Sequence, residues 1–262
     1  MSTRPHLAPG IPRLVGVALA VPFLVLAGWE LLTLGIDFWG RDFGLYVRGA
    51  QRFLDTGTPY APTQLEGPYP IFGEIFLYPP IALALMVPFV WLPAPLWWLM
   101  PAAVLVWAMW TWKPSPWAWP VLAACLAWPR TLGAIVAGNT DLWIAAFLAA
   151  GLVRGWPLAF VVLKPTVAPL VLFGAKRWRQ ALPGVAIVAV LSLLALPLWP
   201  QYLTSLANLD DPSPRLLYSL PSLPLLLVPV VAWLSRLRDP EVGGQPRPDA
   251  ARTRLDDARL PA

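Results

Sequence analysis

Between residues 37 and 80, in DFWGRDFGLYVRGAQRFLDTGTPYAPTQLEGPYPIFGEIFLYPP, five acidic residues (Asp37, Asp42, Asp55, Glu66, Glu74) and three basic ones (Arg41, Arg48, Arg52) break an otherwise apolar chain. This is the longest such interruption, and chemistry is expected in it. Phe43, Tyr46, Val47, Ala50, Phe53 and Leu54 recur there at helical spacing, with Gly44, Arg48, Gln51 and Asp55 on the opposite side. The pattern predicts a short helix lying on a membrane surface. Asp42 falls at its start, where a carboxylate can cap free backbone N–H groups, sit favourably against the helix dipole and face an aqueous cleft. Capping alone would explain the position; the cleft-facing carboxylate is the alternative that carries chemistry.

Four more charges lie inside apolar runs: Glu30, Arg130, Asp141 and Lys164. At the centre of a membrane helix each costs at least ~2.5 kcal/mol, so each has to be paired or wetted. Glu30 either points into an outward cavity or pairs with Arg130 or Lys164 as a structural bridge. Lys164, in VVLKPTVAPL, precedes a proline that opens the helix and frees a backbone carbonyl. A cation there can meet an anionic ligand or take part in a structural pair.

The elements that must position these residues follow from composition. With 58% hydrophobic and 13% charged residues over 262 positions, and a mean hydropathy of +0.61, the chain falls far below the ~25% charge of a soluble domain. An all-α polytopic membrane protein is expected. Apolar runs at 14–36, 75–93, 95–112, 117–137, 141–153, 155–173, 181–199 and 217–235 predict about eight transmembrane helices. In 117–154 Pro120, Pro129, Gly133 and Gly138 break the pattern, so broken helices fit that stretch as well. Residues 1–238 thus form a membrane domain, and 239–262, rich in Pro, Gly and charge without aromatics, a disordered cytoplasmic tail.

Arg4 and Arg13, then Lys176, Arg177 and Arg179, then Arg236 and Arg238 fall on one side of an even set of spans. That side is the cytoplasm, which places loop 37–75 and loop 200–216 outside together. The formal charge of +5 is therefore an orientation signal rather than a nucleic-acid footprint. A single cysteine, Cys125, and a single histidine, His6, exclude an intramolecular disulfide and disfavour Cys- or His-based metal and catalytic sites. Most tryptophans near predicted span ends, including Trp91, Trp97, Trp98, Trp112, Trp117, Trp119 and Trp199, read as an interfacial belt. Trp39 could instead stack on a sugar.

The order of RDFGLYVRGAQRFLDTGTPY, LYPPIALALMVPFVWLP, GNTDLWIAAFLAAGL and LKPTVAPLVLFGAKRWR resembles glycosyltransferase family 87, the polyprenyl-phosphate-mannose-dependent α-mannosyltransferases of bacterial membranes, with the membrane glycosyltransferase C architecture. The resemblance covers roughly residues 14–200. It implies a multi-pass protein of the bacterial inner membrane with its active site facing outward. It also implies that Asp42, ahead of Tyr46 and the Gly57 to Tyr60 segment, is the general base, and it matches Tyr78, Pro79, Pro80, Lys164 and Pro165 to family motifs. Where the family usually shows Gly-Gln-x-Asn, this chain has Gly138, Asn139, Thr140 and Asp141, which alters the amide contacts expected there. Members also commonly carry further spans toward the C-terminus, so a shortened enzyme or one with a protein partner is an expectation.

The chemistry implied is sugar transfer from a polyprenyl-phosphate-linked donor to an extracytoplasmic glycolipid or glycan acceptor. One carboxylate takes the acceptor's hydroxyl proton, and cations stabilise the departing phosphate. Asp42 is the expected base, with Asp37 in reserve; Arg48, Lys164 and Arg130 are the candidate phosphate ligands; Tyr46, Tyr60, Tyr78, Asn139 and Asp141 are the candidate substrate contacts. No Gly-rich phosphate loop and no Asp-x-Asp pair is present, which disfavours a nucleotide-sugar donor, and neither metal nor cofactor is expected. The rival readings are a transporter or lipid flippase, for which an internal repeat is missing, and a scaffold, which would not need the charged outer loop.

Overall fold

A computed structural model describes residues 11–70, 75–210 and 222–236. The architecture is all-α, and among the described residues only two isolated β-bridges occur, Tyr69 with Leu209 and Pro114 with Arg236. The helices are α1 (Ile11–Thr33), α2 (Arg41–Thr56), α3 (Pro62–Glu66), α4 (Leu83–Met86), α5 (Leu96–Trp112), α6 (Ala118–Ala127), α7 (Pro129–Ala137), α8 (Asp141–Arg154), α9 (Trp178–Leu194), α10 (Trp199–Ala207) and α11 (Leu223–Leu234). Within them one helix, Leu14–Thr33, is long and apolar enough to cross a membrane, or up to three if each of two bent pairs is one span. Shorter apolar helices run over Pro80–Val90, Leu96–Trp112 and Leu223–Leu234. The expected tail 239–262, Glu74, and residues 211–216 of the expected second outer loop lie outside the described residues.

At the centre of the molecule stands α8. Leu142, Trp143, Ile144, Ala145, Ala146, Leu148, Ala149, Gly151 and Leu152 are all buried, so the helix is covered on every side, as a helix apolar all round must be. Helix α5, the segment Trp156–Leu163 and α11 pack around it. At the periphery α1 leans on α6 and exposes Leu14, Val17, Leu24, Val25, Trp29 and Leu32, a surface that suits hydrocarbon rather than water.

Prolines explain where the helices depart from the expected spans. Trp128 is extended, at φ −60° and ψ 126°, because Pro129 excludes the α region for the residue before it, and α6 and α7 meet there at 62°. This is the broken-helix alternative for 117–137. The run expected as one helix over 155–173 is instead 3-10 helix, Trp156–Leu163 and Pro165–Arg177, interrupted at Lys164. Pro157, Pro165 and Pro169 each remove an amide donor from it, so continuous α bonding fails. Helix α9 ends at Leu194 and turns by 68° into α10. The second outer loop, expected from residue 200, thus begins as the helix Trp199–Ala207.

Candidate active site

Helix α2 forms where the sequence predicts it and carries Asp42 in its first turn. Tyr46, Gly49 and Ala50 face the core, whereas Arg48, Gln51 and Asp55 are exposed. Asp42 is not the cap, however. Gly40 occupies that position in the left-handed region (φ 69°, ψ 12°), no side chain caps the turn, and the Gly40 N–H donates to Val136 O at 2.9 Å. The carboxylate is thereby released from backbone duty. Its Oδ2 accepts from Asn139 Nδ2 at 2.8 Å, and its Oδ1 lies 3.5 Å from Arg41 Nε. The Asp42 side chain keeps 17% of its surface, and that of Arg41 58%, so the pair sits at the water's edge.

Asn139 belongs to the turn between α7 and α8, and this turn connects the predicted residues. Gly138 ends α7 at φ 73°, ψ 33°, and a side chain there would stand 2.8 Å from both Phe43 and Trp98, so both the conformation and the space require glycine. Asn139 uses its amide in both directions. Its Nδ2 faces Asp42, and its Oδ1 accepts the Asp141 backbone N–H at 3.1 Å, one of the free amides at the start of α8. The two partners fix which way the amide points.

Asp141 is fully buried and receives Lys164 Nζ on Oδ1 at 2.5 Å. Its other oxygen, Oδ2, is buried without a hydrogen-bond partner. Of the two uses left open for Lys164, the structure therefore shows the structural pair. The partner is Asp141 rather than Glu30, and the break at Lys164 between the two 3-10 segments lets the ammonium reach it. Arg130 is exposed in the first turn of α7, and Asp37 is exposed in the short turn Ile36–Phe38; neither stands in the chain of contacts from Asp42 to Lys164. Arg48 is exposed on α2, and its guanidinium folds back over Gly44, 3.2 Å from where a β-carbon would stand, toward the turn that holds Asp42.

A second line of contacts runs through hydroxyls. Tyr78 OH is 2.6 Å from Thr140 Oγ1 and 3.1 Å from Tyr46 OH, and Tyr60 OH donates to the Tyr78 carbonyl at 3.0 Å. Burial raises the Tyr46 phenol well above its usual range, with the Tyr78 hydroxyl and the Asp42 charge adding to the rise. The phenol stays neutral near neutral pH and remains a donor. Tyr60 is raised mainly by burial as well, and with none of its surface exposed it positions Tyr78 rather than reaching outward.

Some contributors escaped the sequence reading. Trp97 and Trp98, expected in the interfacial belt, donate their indole N–H groups to Gly138 O and Ile135 O, both at 2.7 Å, and clamp the turn that carries Asn139. Trp97 and Trp112 are buried, whereas Trp91, Trp117 and Trp119 are exposed. Phe43, Tyr46, Phe89 and Trp143 surround Trp97 edge-on or tilted and make an apolar wall under the site. Gln64, wholly buried, donates to Phe76 O and Ser205 Oγ, and Tyr69 OH donates to Ser205 O at 2.7 Å. Nothing in the spacing of Gln64 marks it, since its partner stands on α10. Ser205, placed by sequence in an outer loop, is a buried helix residue.

The arrangement can hold one carboxylate with a single oxygen restrained and the other near water, over an apolar wall and beside cations of the same helix. Among the described residues no group of three or more His, Cys, Asp or Glu could hold a metal ion. No protein-family model, no curated protein and no solved structure matches this chain.

Proposed function

We propose that the chain is an integral-membrane glycosyltransferase that passes a sugar, mannose on the family resemblance, from a polyprenyl-phosphate donor to a glycolipid or glycan acceptor on the outer face of a bacterial cell membrane. The eight passages expected from the apolar runs are part of this proposal. The observation that carries it is the state of Asp42, which is oriented by Asn139 yet partly exposed and free of capping. In the proposed reaction the acceptor hydroxyl oxygen bonds to C1 of the sugar as the bond from C1 to the phosphate oxygen breaks. The hydroxyl proton passes to Asp42, the phosphate leaves as an anion toward Arg41 and Arg48, and a single displacement inverts C1. Lys164, committed to Asp141, acts in this scheme by holding the α8 end of the turn rather than by binding phosphate.

The test is sugar transfer from a polyprenyl-phosphate donor in membranes carrying each variant at matched levels. Asp42→Asn keeps an acceptor for Asn139 but loses the base, and transfer is expected to fall by about 10² to 10⁴ with expression unchanged. Near-normal transfer by Asp42→Asn with an inactive Asp37→Asn moves the base to Asp37. Normal transfer by both removes the mechanism. The two bent helix pairs favour a second reading, a transporter, because such proteins build their sites on broken helices. Movement of a lipid-linked substrate across the bilayer, without transfer of its sugar, would decide for that reading.

A further inference from the structure

At the far end of α5 from Asp42 lies a site with a different chemistry. The first turn of α5 holds Trp97 and Trp98 against the Asn139 turn, and its 17 residues carry the chain about 25 Å to Lys113. There Pro114 pairs with Arg236, and the Ser115 N–H donates to Ser235 O at 3.0 Å, which fixes the end of α11 beside the end of α5. A cavity of about 500 Å³ opens at this place, between α11 and the 3-10 segment Pro165–Arg177. Lys176 and Arg236 line it together with Leu172, Phe173, Trp233 and Leu234, and no carboxylate stands among the described lining residues. The Arg236 guanidinium lies 4.5 Å above the Trp233 ring and donates to Trp233 O at 2.6 Å, so its position is set by α11.

We infer that this cavity binds an anionic phospholipid, with Lys176 and Arg236 against the phosphate and an acyl chain along Leu172, Phe173 and Leu234. Two observations select this occupant. Two cations meet in one cavity with no carboxylate among its described lining residues, which calls for an anion. The apolar walls on either side, Leu172 and Leu234, are exposed by 71% and 63%, which calls for hydrocarbon attached to that anion. A free phosphate satisfies the first requirement and leaves the second unmet. The fold sorts its described carboxylates accordingly. They stand on the last turns of α1, in the outer segment, at the first residue of α8 and after α10, whereas Lys113, Lys176 and Arg236 gather at the opposite end. The inference requires residence in a membrane and does not depend on sugar transfer.

The experiment is native mass spectrometry of the full-length protein released from nanodiscs that contain phosphatidylglycerol and phosphatidylcholine with identical acyl chains. Preferential retention of phosphatidylglycerol is expected. It should fall about fivefold in Lys176→Gln and in Arg236→Gln, and about thirtyfold in the double variant, as expected for one positive charge lost at each step. The double variant Lys176→Arg with Arg236→Lys should retain the lipid, which separates charge from folding. Equal retention of the two lipids, retention unchanged by the Gln variants, or displacement by millimolar inorganic phosphate each overturns the inference. Retention that appears only in Asp239→Asn with Glu241→Gln also overturns it, since the chain's own carboxylates would then occupy the cavity.

Discussion

Asp42 and Asp141 are both carboxylates in the first turn of a helix, and Asn139 touches the side chain of one and the backbone of the other. The helix dipole favours negative charge at both positions. Their environments separate them. Asp141 is buried against a buried lysine at the start of the central helix, where an unpaired charge would cost several kcal/mol. Asp42 is restrained on one oxygen by a neutral amide and borders water on the other side, beside an exposed arginine. The first arrangement fixes a charge in place. The second leaves a carboxylate partly exposed, as the proposed base requires. A carboxylate's place in the sequence pattern thus says where the field is favourable, and its partner decides whether it is used for assembly or for chemistry.

This contrast can be broken most severely at the buried end. Lys164→Ala leaves Asp141 buried without its counter-charge and should cost about 3 to 5 kcal/mol; thermal unfolding in one detergent reads it. Asp141→Asn combined with Lys164→Met should recover most of that loss, and a double variant no more stable than Lys164→Ala would show that the pair does more than neutralise itself. At the link between the two carboxylates the effect is smaller. Asn139→Ala removes both the hydrogen bond to the partly exposed Asp42 carboxylate and the one accepted from the Asp141 N–H, together worth about 2 to 3 kcal/mol, and frees Asp42 to rotate. Its transfer rate should drop by more than its stability change explains, and Asn139→Gln, which keeps the amide, should restore part of it. At the exposed end Arg41→Ala should change stability by less than about 0.5 kcal/mol, because a surface pair of this kind is screened by water. A rise in the donor's KM with little change in unfolding would mark Arg41 as a phosphate contact.

Much of this organisation could be read from the chain. Helix α2 follows from its apolar spacing, the break between α6 and α7 from Pro129, and the importance of Asp141 and Lys164 from the cost of charge in apolar runs. The pairing itself could not be read, because periodicity locates faces and not neighbours. The sequence offers Glu30 as the partner for Lys164, whereas Pro165 and the 3-10 turns direct the side chain to Asp141. The capping role of Asp42 failed for a local reason, since Gly40 takes the left-handed position two residues earlier. Trp97 and Trp98 stand at a helix start just as belt residues do, and only the position of Gly138 against them shows that their indoles are spent on backbone carbonyls.

The Gln64 node bears on how the protein is made. Its buried amide bonds to Ser205, 141 positions later in the chain, and its own carbonyl accepts from Asn208 Nδ2. During synthesis the segment that contains Asp42 emerges before α10, so Gln64 can meet Phe76 and Tyr69, near it in the chain, but neither Ser205 nor Asn208 until α10 has been added. Closure over so long a loop costs chain entropy that local contacts do not return. The segment around Asp42 is therefore expected to make its last contacts late, as α10 arrives, and a nascent chain halted before that helix should be cut more readily on the Asp42 side than the full chain.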